Sequence, residues 1–343
     1  MRSSSGSYVS NLDHLRALAA FQVFVWHFTH TSAACASICF ARDYTVGALS
    51  IFEEGHTGVS LFMCISGYIF ARLTDGHAIN APLFWFNRAA RLLPLLAAWS
   101  LITIWSGQAS GIINAVLAPG GWSIVVEMEF YLLFPFMLLF VRRFGLAWIG
   151  AAVVAAVALR YAYWLREGSV QDLAYWTLAG RIDQLLIGYL AFYAPTRRPA
   201  VVGVTAAVLL IAAYAIFNAL GGFYGIRGYP SRSVLWVVWP LLEALCYSAI
   251  IRAYVGVKLP RVLDAPLARV GTWSYSIYLG HFYFVPVIFF VVATRFGMPE
   301  SFGGRLAWAL AVFPLVVAIG ALTYTTIEKP FLALRKGYLK PPG

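Results

Sequence analysis

Apolar runs of roughly twenty residues, parted by short polar or glycine- and proline-rich breaks, recur along the whole chain. About 20 apolar residues in a helix suffice to cross the hydrocarbon of a bilayer. The pattern predicts ten such helices, over residues 12–31, 57–73, 83–106, 122–141, 146–165, 173–194, 200–220, 233–252, 270–294 and 305–327. Turn chemistry divides them: "APGG" before Trp122, "RRFG" at 142–145, "APTRRP" at 194–199 and "GGFYGIRGYPSR" at 221–232. The expected fold is all-α, a polytopic membrane bundle of about ten transmembrane helices. It forms a single domain over residues 1–343, with a polar N-terminal tail (1–10) and a short basic C-terminal tail (329–343). No internal repeat of the transporter kind and no low-complexity segment breaks the pattern.

Composition agrees: 61% of the 343 residues are hydrophobic and 11% charged, with a mean hydropathy of +0.76. Soluble domains are about 45–50% apolar and about 25% charged, so a large soluble domain is excluded. The net charge of +11 raises the question of nucleic acid. The basic residues stand singly or in short groups between apolar runs, however, which is the signature of membrane topology and not of a nucleic-acid surface. With the N-terminus inside, sixteen Lys and Arg fall in inside segments, Arg2 and Lys340 being the outermost. Seven fall outside: Arg42, Arg160, Arg166, Arg227, Arg232, Arg295 and Arg305. This bias places both termini in the cytoplasm. The first ten residues are polar, and the run after them holds Arg16 and no small-residue cleavage site, so no signal peptide is expected. Cys35, Cys39, Cys64 and Cys246 show no paired CxxC spacing and no metal is expected; the first two share a loop and are read as thiols that oxidise only if it faces the periplasm.

Polar groups at membrane depth are the candidates for chemistry, because hydrocarbon penalises them. Arg16 and His27 stand eleven residues apart in the first span, about 16 Å along the axis and on nearly the same face. That face presents a cation toward the cytoplasm and a titratable base toward the exterior. Glu127 and Glu129, in "GWSIVVEMEFYLLFPFMLLF", fall within two turns of the exterior end, near the expected depth of His27. Being two apart, they cannot both face the bundle. Arg88 and Arg91 are three apart at a cytoplasmic helix end, spaced to clamp phosphate. Arg181 and Asp183 do not face each other and are read as structural or pore-lining. The stretch "GTWSYSIYLGHFYF" adds hydroxyls and His281. Ser123, Tyr131 and Tyr278 are candidate oxyanion donors, and Glu328 and Lys329 are read as anchors at the cytoplasmic interface.

These stretches, in this order, resemble the acyltransferase-3 family of bacterial membrane O-acyltransferases. The resemblance rests on "NLDHLRALAAFQVFVWHF", "GVSLFMCISGYIFARL", "FWFNRAARLLPLL", "WSIVVEMEFYLLFP", "RIDQLLIGYL", "WSYSIYLGHF" and "YTTIEKPF". It departs at Met128, where relatives usually carry a second acid, and at Glu129, where glutamine is common. The acid role thus falls on Glu127. No hydrolase-like domain follows the last span, so the chain resembles the stand-alone membrane form.

The resemblance implies transfer of an acyl group, most often acetyl, from cytoplasmic acyl-CoA (acetyl-CoA) to a hydroxyl of a cell-surface or exported glycan or lipid-linked saccharide. Its setting would be the bacterial cytoplasmic membrane. Arg16, Arg88 and Arg91 are expected to hold the CoA phosphates. His27 is expected to act as general base or covalent acyl carrier, assisted by Glu127. Acylation of a macrolide or signal oligosaccharide is the alternative acceptor reading. A polytopic transporter or glycan flippase is the alternative of another class.

Overall fold

The computed structural model describes residues 8–31, 46–107, 111–117, 120–226 and 228–340. Cys35, Cys39, Arg42, Asp43 and Arg227 lie outside the described residues. Cys64 and Cys246 are free thiols.

Every predicted span holds helix. The first is α1 (Ser10–His30), and a short α2 (Ser50–Glu53) precedes α3 (Thr57–Thr74). Next come α4 (Ala81–Trp105), a short α5 (Ile112–Leu117), α6 (Gly121–Phe144) and α7 (Ala147–Glu167). The sixth predicted span divides into α8 (Gln171–Trp176) and α9 (Leu178–Tyr193). The extended Thr177 between them accepts from the Gly180 N–H at 3.1 Å and so caps α9. After α10 (Pro199–Ala219) and α11 (Leu235–Tyr254), the first residues of the ninth predicted span belong to a separate, preceding helix. An amphipathic α12 (Arg261–Thr272) turns at Trp273 into α13 (Ser274–Phe296). Finally α14 (Phe302–Thr323) runs through a π-helical turn, Tyr324–Glu328, into α15 (Lys329–Leu332). The only strands among the described residues are β1 (Ala78–Ile79) and β2 (Leu339–Lys340), paired antiparallel.

Among the described residues, seven helical stretches are long and apolar enough to cross a membrane. The chain is thus a polytopic all-α membrane protein. The helices outside that set explain themselves: α9 has 16 residues, and α1 and α4 carry internal charges.

Those charges are tolerable because of where the helices lie. In α1, 17 of 21 residues are buried, so its polar groups meet protein and not lipid. Its N-terminal end is held by α11 and α12: Asn11 Nδ2 donates to the Tyr254 and Val257 carbonyls, and Ser10 Oγ to Asp264. On α12, Gly271 lies against the Asp13 backbone so closely that a Cβ has no room. By contrast, α7 buries only Ile149, Val153, Ala156 and Arg160, one stripe at helical spacing, and leaves its other faces to lipid. Small residues again bring backbones together where Gly67 of α3 meets Leu185 and Gly188 of α9 meets Cys64.

Four arginines counted as exterior lie within helices, Arg160 and Arg166 in α7, Arg295 in α13 and Arg305 in α14, and two of them are buried. Arg160, fully buried, donates to the Val237 and Gly180 carbonyls and pairs with Asp183 at 2.6 Å. Arg305 is buried at the start of α14 and caps the end of α1, donating to the carbonyls of Thr29 (2.6 Å) and Thr31 (3.0 Å).

Candidate active site

Val59, Phe62, Met63, Ser66, Ile69 and Phe70 fall on one face of α3, spaced by three and four. They form one wall of a slot that follows the helix for eleven residues, about 16 Å. The other walls come from α1, α4, α6 and α13. Four helices distant in sequence thus close over a mostly apolar stripe, and the polar residues they contribute define the site.

Arg16, Arg88 and Arg91 all line the slot. Arg16 pairs with Asp13 at 2.7 Å. The Arg88 guanidinium lies 5.1–5.6 Å from the ring centroids of Phe70, Phe84 and Tyr131, donates to the Tyr338 hydroxyl at 3.1 Å, and keeps its buried Nε without a partner. Arg91 has no hydrogen bond or ion pair among the described residues. Glu328, read as an interfacial anchor, is instead buried: it accepts from Ser276 at 3.1 Å, its Oε1 lacks a partner, and the charges of Arg91, Arg335 and Arg16 act on it. Glu328 closes the π-helical turn, an insertion that shifts the helix register.

Glu127 also lines the slot. Its Oε1 accepts from Ser66 at 3.2 Å and from the Tyr131 hydroxyl one turn further on. Glu129 is exposed on the opposite face, so of the two glutamates one faces the bundle, as their spacing requires. Further along, the Ser123 and Tyr278 hydroxyls lie 2.8 Å apart and each reaches the Gly120 carbonyl at 3.2 Å. Arg181 lies away from the slot, 4.6 Å from the Tyr175 ring centroid, donating to Ser60.

His27 is buried beyond Tyr278 and does not line the slot. Its Nδ1 lies 2.8 Å from the Val23 carbonyl and 3.1 Å from His281 Nε2. A carbonyl only accepts, so Nδ1 carries the proton and Nε2 of the neutral ring holds the free lone pair. Phe282 packs against the ring, centroids 4.5 Å apart. His27 and Glu127 are therefore not hydrogen-bonded to each other; His281, 254 positions away in sequence, is the imidazole's side-chain neighbour.

Sequence reasoning passed over a second polar cluster one turn beyond His27. His30 meets Glu53 and His56 meets Glu54, both at 3.1 Å, and Asn218 Nδ2 donates to Glu53 at 2.6 Å. The signal was present in the adjacent glutamates after the long loop, but only the fold brings Asn218 to them. Among the described residues no group of three or more His, Cys, Asp or Glu is arranged to hold a metal ion.

A helical membrane bundle with a basic slot and a buried imidazole is a setting for group transfer, and comparison with known proteins says of which kind. The sequence profile of the acyltransferase-3 family, described as an acyltransferase domain, matches residues 9–325. The chain belongs to this family and is an enzyme that transfers acyl groups other than amino-acyl groups. It is 26% identical to the acyltransferase MdmB of Streptomyces mycarofaciens, over 94% of this chain and 92% of MdmB. It is 27% identical to a protein of Komagataeibacter xylinus named as the membrane-bound transacylase BcsY, over 81% of this chain and 76% of BcsY. It is 24% identical to the peptidoglycan O-acetyltransferase OatA of Listeria monocytogenes, over 81% of this chain but only 49% of OatA. No solved structure matches.

Proposed function

We propose that this membrane acyltransferase moves an acyl group, acetyl first among them, from cytoplasmic acyl-CoA to a hydroxyl of a cell-surface or exported glycan. Its place is then the bacterial cytoplasmic membrane, with both termini in the cytoplasm and residues 1–343 acting as one transmembrane domain. The observation that carries this reading is the convergence of Arg16, Arg88 and Arg91 on one slot, whose Tyr278 adjoins His281, the neighbour of His27. The residues suit an acyl-CoA: guanidinium groups for its phosphates, and the apolar α3 stripe for its pantetheine arm. The 16 Å rise from Arg16 to His27 is the distance the arm must bridge. The name of OatA supports acetyl as the group and a glycan as the acceptor.

In the proposed reaction His27 Nε2 takes the proton of the acceptor hydroxyl. The oxygen attacks the thioester carbonyl, the carbon–sulfur bond breaks, and the thiolate leaves with a proton returned from the imidazolium. Glu127 orients the hydroxyl through Oε2, its Oε1 being engaged by Ser66 and Tyr131. Ser123, one turn from Glu127, and Tyr278, one turn from His281, would turn their hydroxyls from the Gly120 carbonyl to the charge that develops on the thioester oxygen. The test is acetyl transfer in reconstituted vesicles loaded with acetyl-CoA. Folded His27→Ala should lose at least a hundredfold in kcat, the usual scale of a general base. Wild-type turnover in that variant would remove His27 from the mechanism.

A further inference from the structure

The last residues read from sequence as a loose basic tail, yet they form a strap fastened at both edges. Asn87 exchanges two hydrogen bonds with the backbone of Lys336, at 2.6 and 2.9 Å. The Asn80 N–H donates to the Tyr338 carbonyl at 2.8 Å, and β2 pairs with β1 in the register Ala78↔Lys340. Tyr338 is buried against Phe84 and receives Arg88 on its hydroxyl. The strap is thereby locked to the start of α4, the helix that carries Arg88 and Arg91.

This fixes Arg335, the residue between α15 and the strap. It is half-buried, and its Nε donates to the Leu332 carbonyl at 3.1 Å. Its two terminal nitrogens have no hydrogen bond or ion pair among the described residues. Burial and the neighbouring charges of Arg91 and Arg88 push its pKa below the ordinary arginine value. Asp13 is engaged by Arg16 and Glu127 by Tyr131; Glu328, which takes Ser276 on one oxygen, is a single carboxylate facing the charges of Arg91, Arg335 and Arg16, so the arginines outnumber it. Guanidinium groups crowded together with open donors repel one another until a polyvalent anion joins them. Arg335 is not part of the slot wall, so it stands outside the three arginines that are.

An acyl-CoA carries its phosphates in a fixed order. The diphosphate adjoins the pantetheine arm, and the 3′-phosphate lies further out on the ribose. We propose that Arg335, held by the C-terminal strap, binds the 3′-phosphate of the donor while Arg16, Arg88 and Arg91 take the diphosphate. The proposal rests on acyl-CoA being the donor and adds to it a specificity element at the end of the chain.

The experiment compares acetyl-CoA with 3′-dephospho-acetyl-CoA as donors for the full-length protein in lipid nanodiscs. The wild type should show a KM about tenfold higher for the dephospho donor, the scale of one charge-assisted contact. Arg335→Gln should raise KM for acetyl-CoA by a similar factor and leave the dephospho donor unchanged, so the discrimination falls to about one. Arg335→Lys should retain part of it, and Lys336→Gln, an exposed side chain on the same strap, all of it. A general loosening of the strap would raise KM for both donors equally and would overturn the assignment, as would undiminished discrimination in Arg335→Gln. If the wild type uses neither thioester, the acyl-CoA reading itself fails, a result distinct from either.

Discussion

Arg91 is the residue whose loss separates a ligand-binding cation from a structural one. It lines the slot and has no hydrogen bond or ion pair among the described residues, so Arg91→Gln removes no hydrogen bond from the apo protein, only the longer-range attraction to Glu328. With no hydrogen bond lost, the change should alter apo stability by about 1 kcal/mol, the centre of the range for point substitutions. In the donor complex the same change deletes one charge-assisted hydrogen bond, worth about 1.5–3 kcal/mol. At about 1.4 kcal/mol per tenfold, that is roughly a 10- to 150-fold weaker donor. The assay pairs equilibrium binding of acetyl-CoA with its KM, since KM reports affinity only where chemistry is slow. Thermal unfolding in nanodiscs, with and without donor, completes it. The apo transition should move little, and the stabilisation that acetyl-CoA confers on the wild type should largely disappear. Donor affinity within twofold of wild type would refute the assignment. A collapse of the apo protein would refute the claim that Arg91 lacks internal partners.

The contrasting case is Arg160, whose three hydrogen bonds are all internal. Asp183→Asn should cost about 3–5 kcal/mol of unfolding free energy in denaturant titration, and Arg160→Met with Asp183→Leu should recover most of it. Arg305→Gln uncovers the Thr29 and Thr31 carbonyls at the end of α1; hydrogen exchange there should accelerate, and kcat should fall more than donor affinity. His281→Ala should lower kcat by about two- to tenfold, the worth of one neutral hydrogen bond, with donor KM unchanged, and His281→Asn should restore part of the loss. Gly188→Leu should prevent α3 and α9 from meeting at Cys64, which solubility and thermal unfolding would register as a destabilised bundle.

Hydrophobic periodicity alone carried the helices. Each predicted span holds helix, because in lipid every backbone polar group must be satisfied within its own segment. Helical spacing also carried the shared face of Arg16 and His27, the adjacency of Arg88 and Arg91, and the rule that only one of Glu127 and Glu129 faces inward. These are properties of one helix at a time. Partnership between helices was not legible. The same apolar surface lets α1 pack against many neighbours, and only the assembled bundle sets His281 beside His27 and draws Glu127 to Tyr131 and Ser66 instead. The seating of α12 ahead of the ninth span rests on Gly271 meeting the Asp13 backbone, a contact made across 258 residues. Likewise, Lys336 and Tyr338 read only as part of a short basic tail because nothing local ties them down; their partners, Asn80 and Asn87, lie some 250 positions earlier. Sequence determined which polar groups would stand at membrane depth. Tertiary structure decided which of them share a slot, because burial in lipid demands partners without naming them.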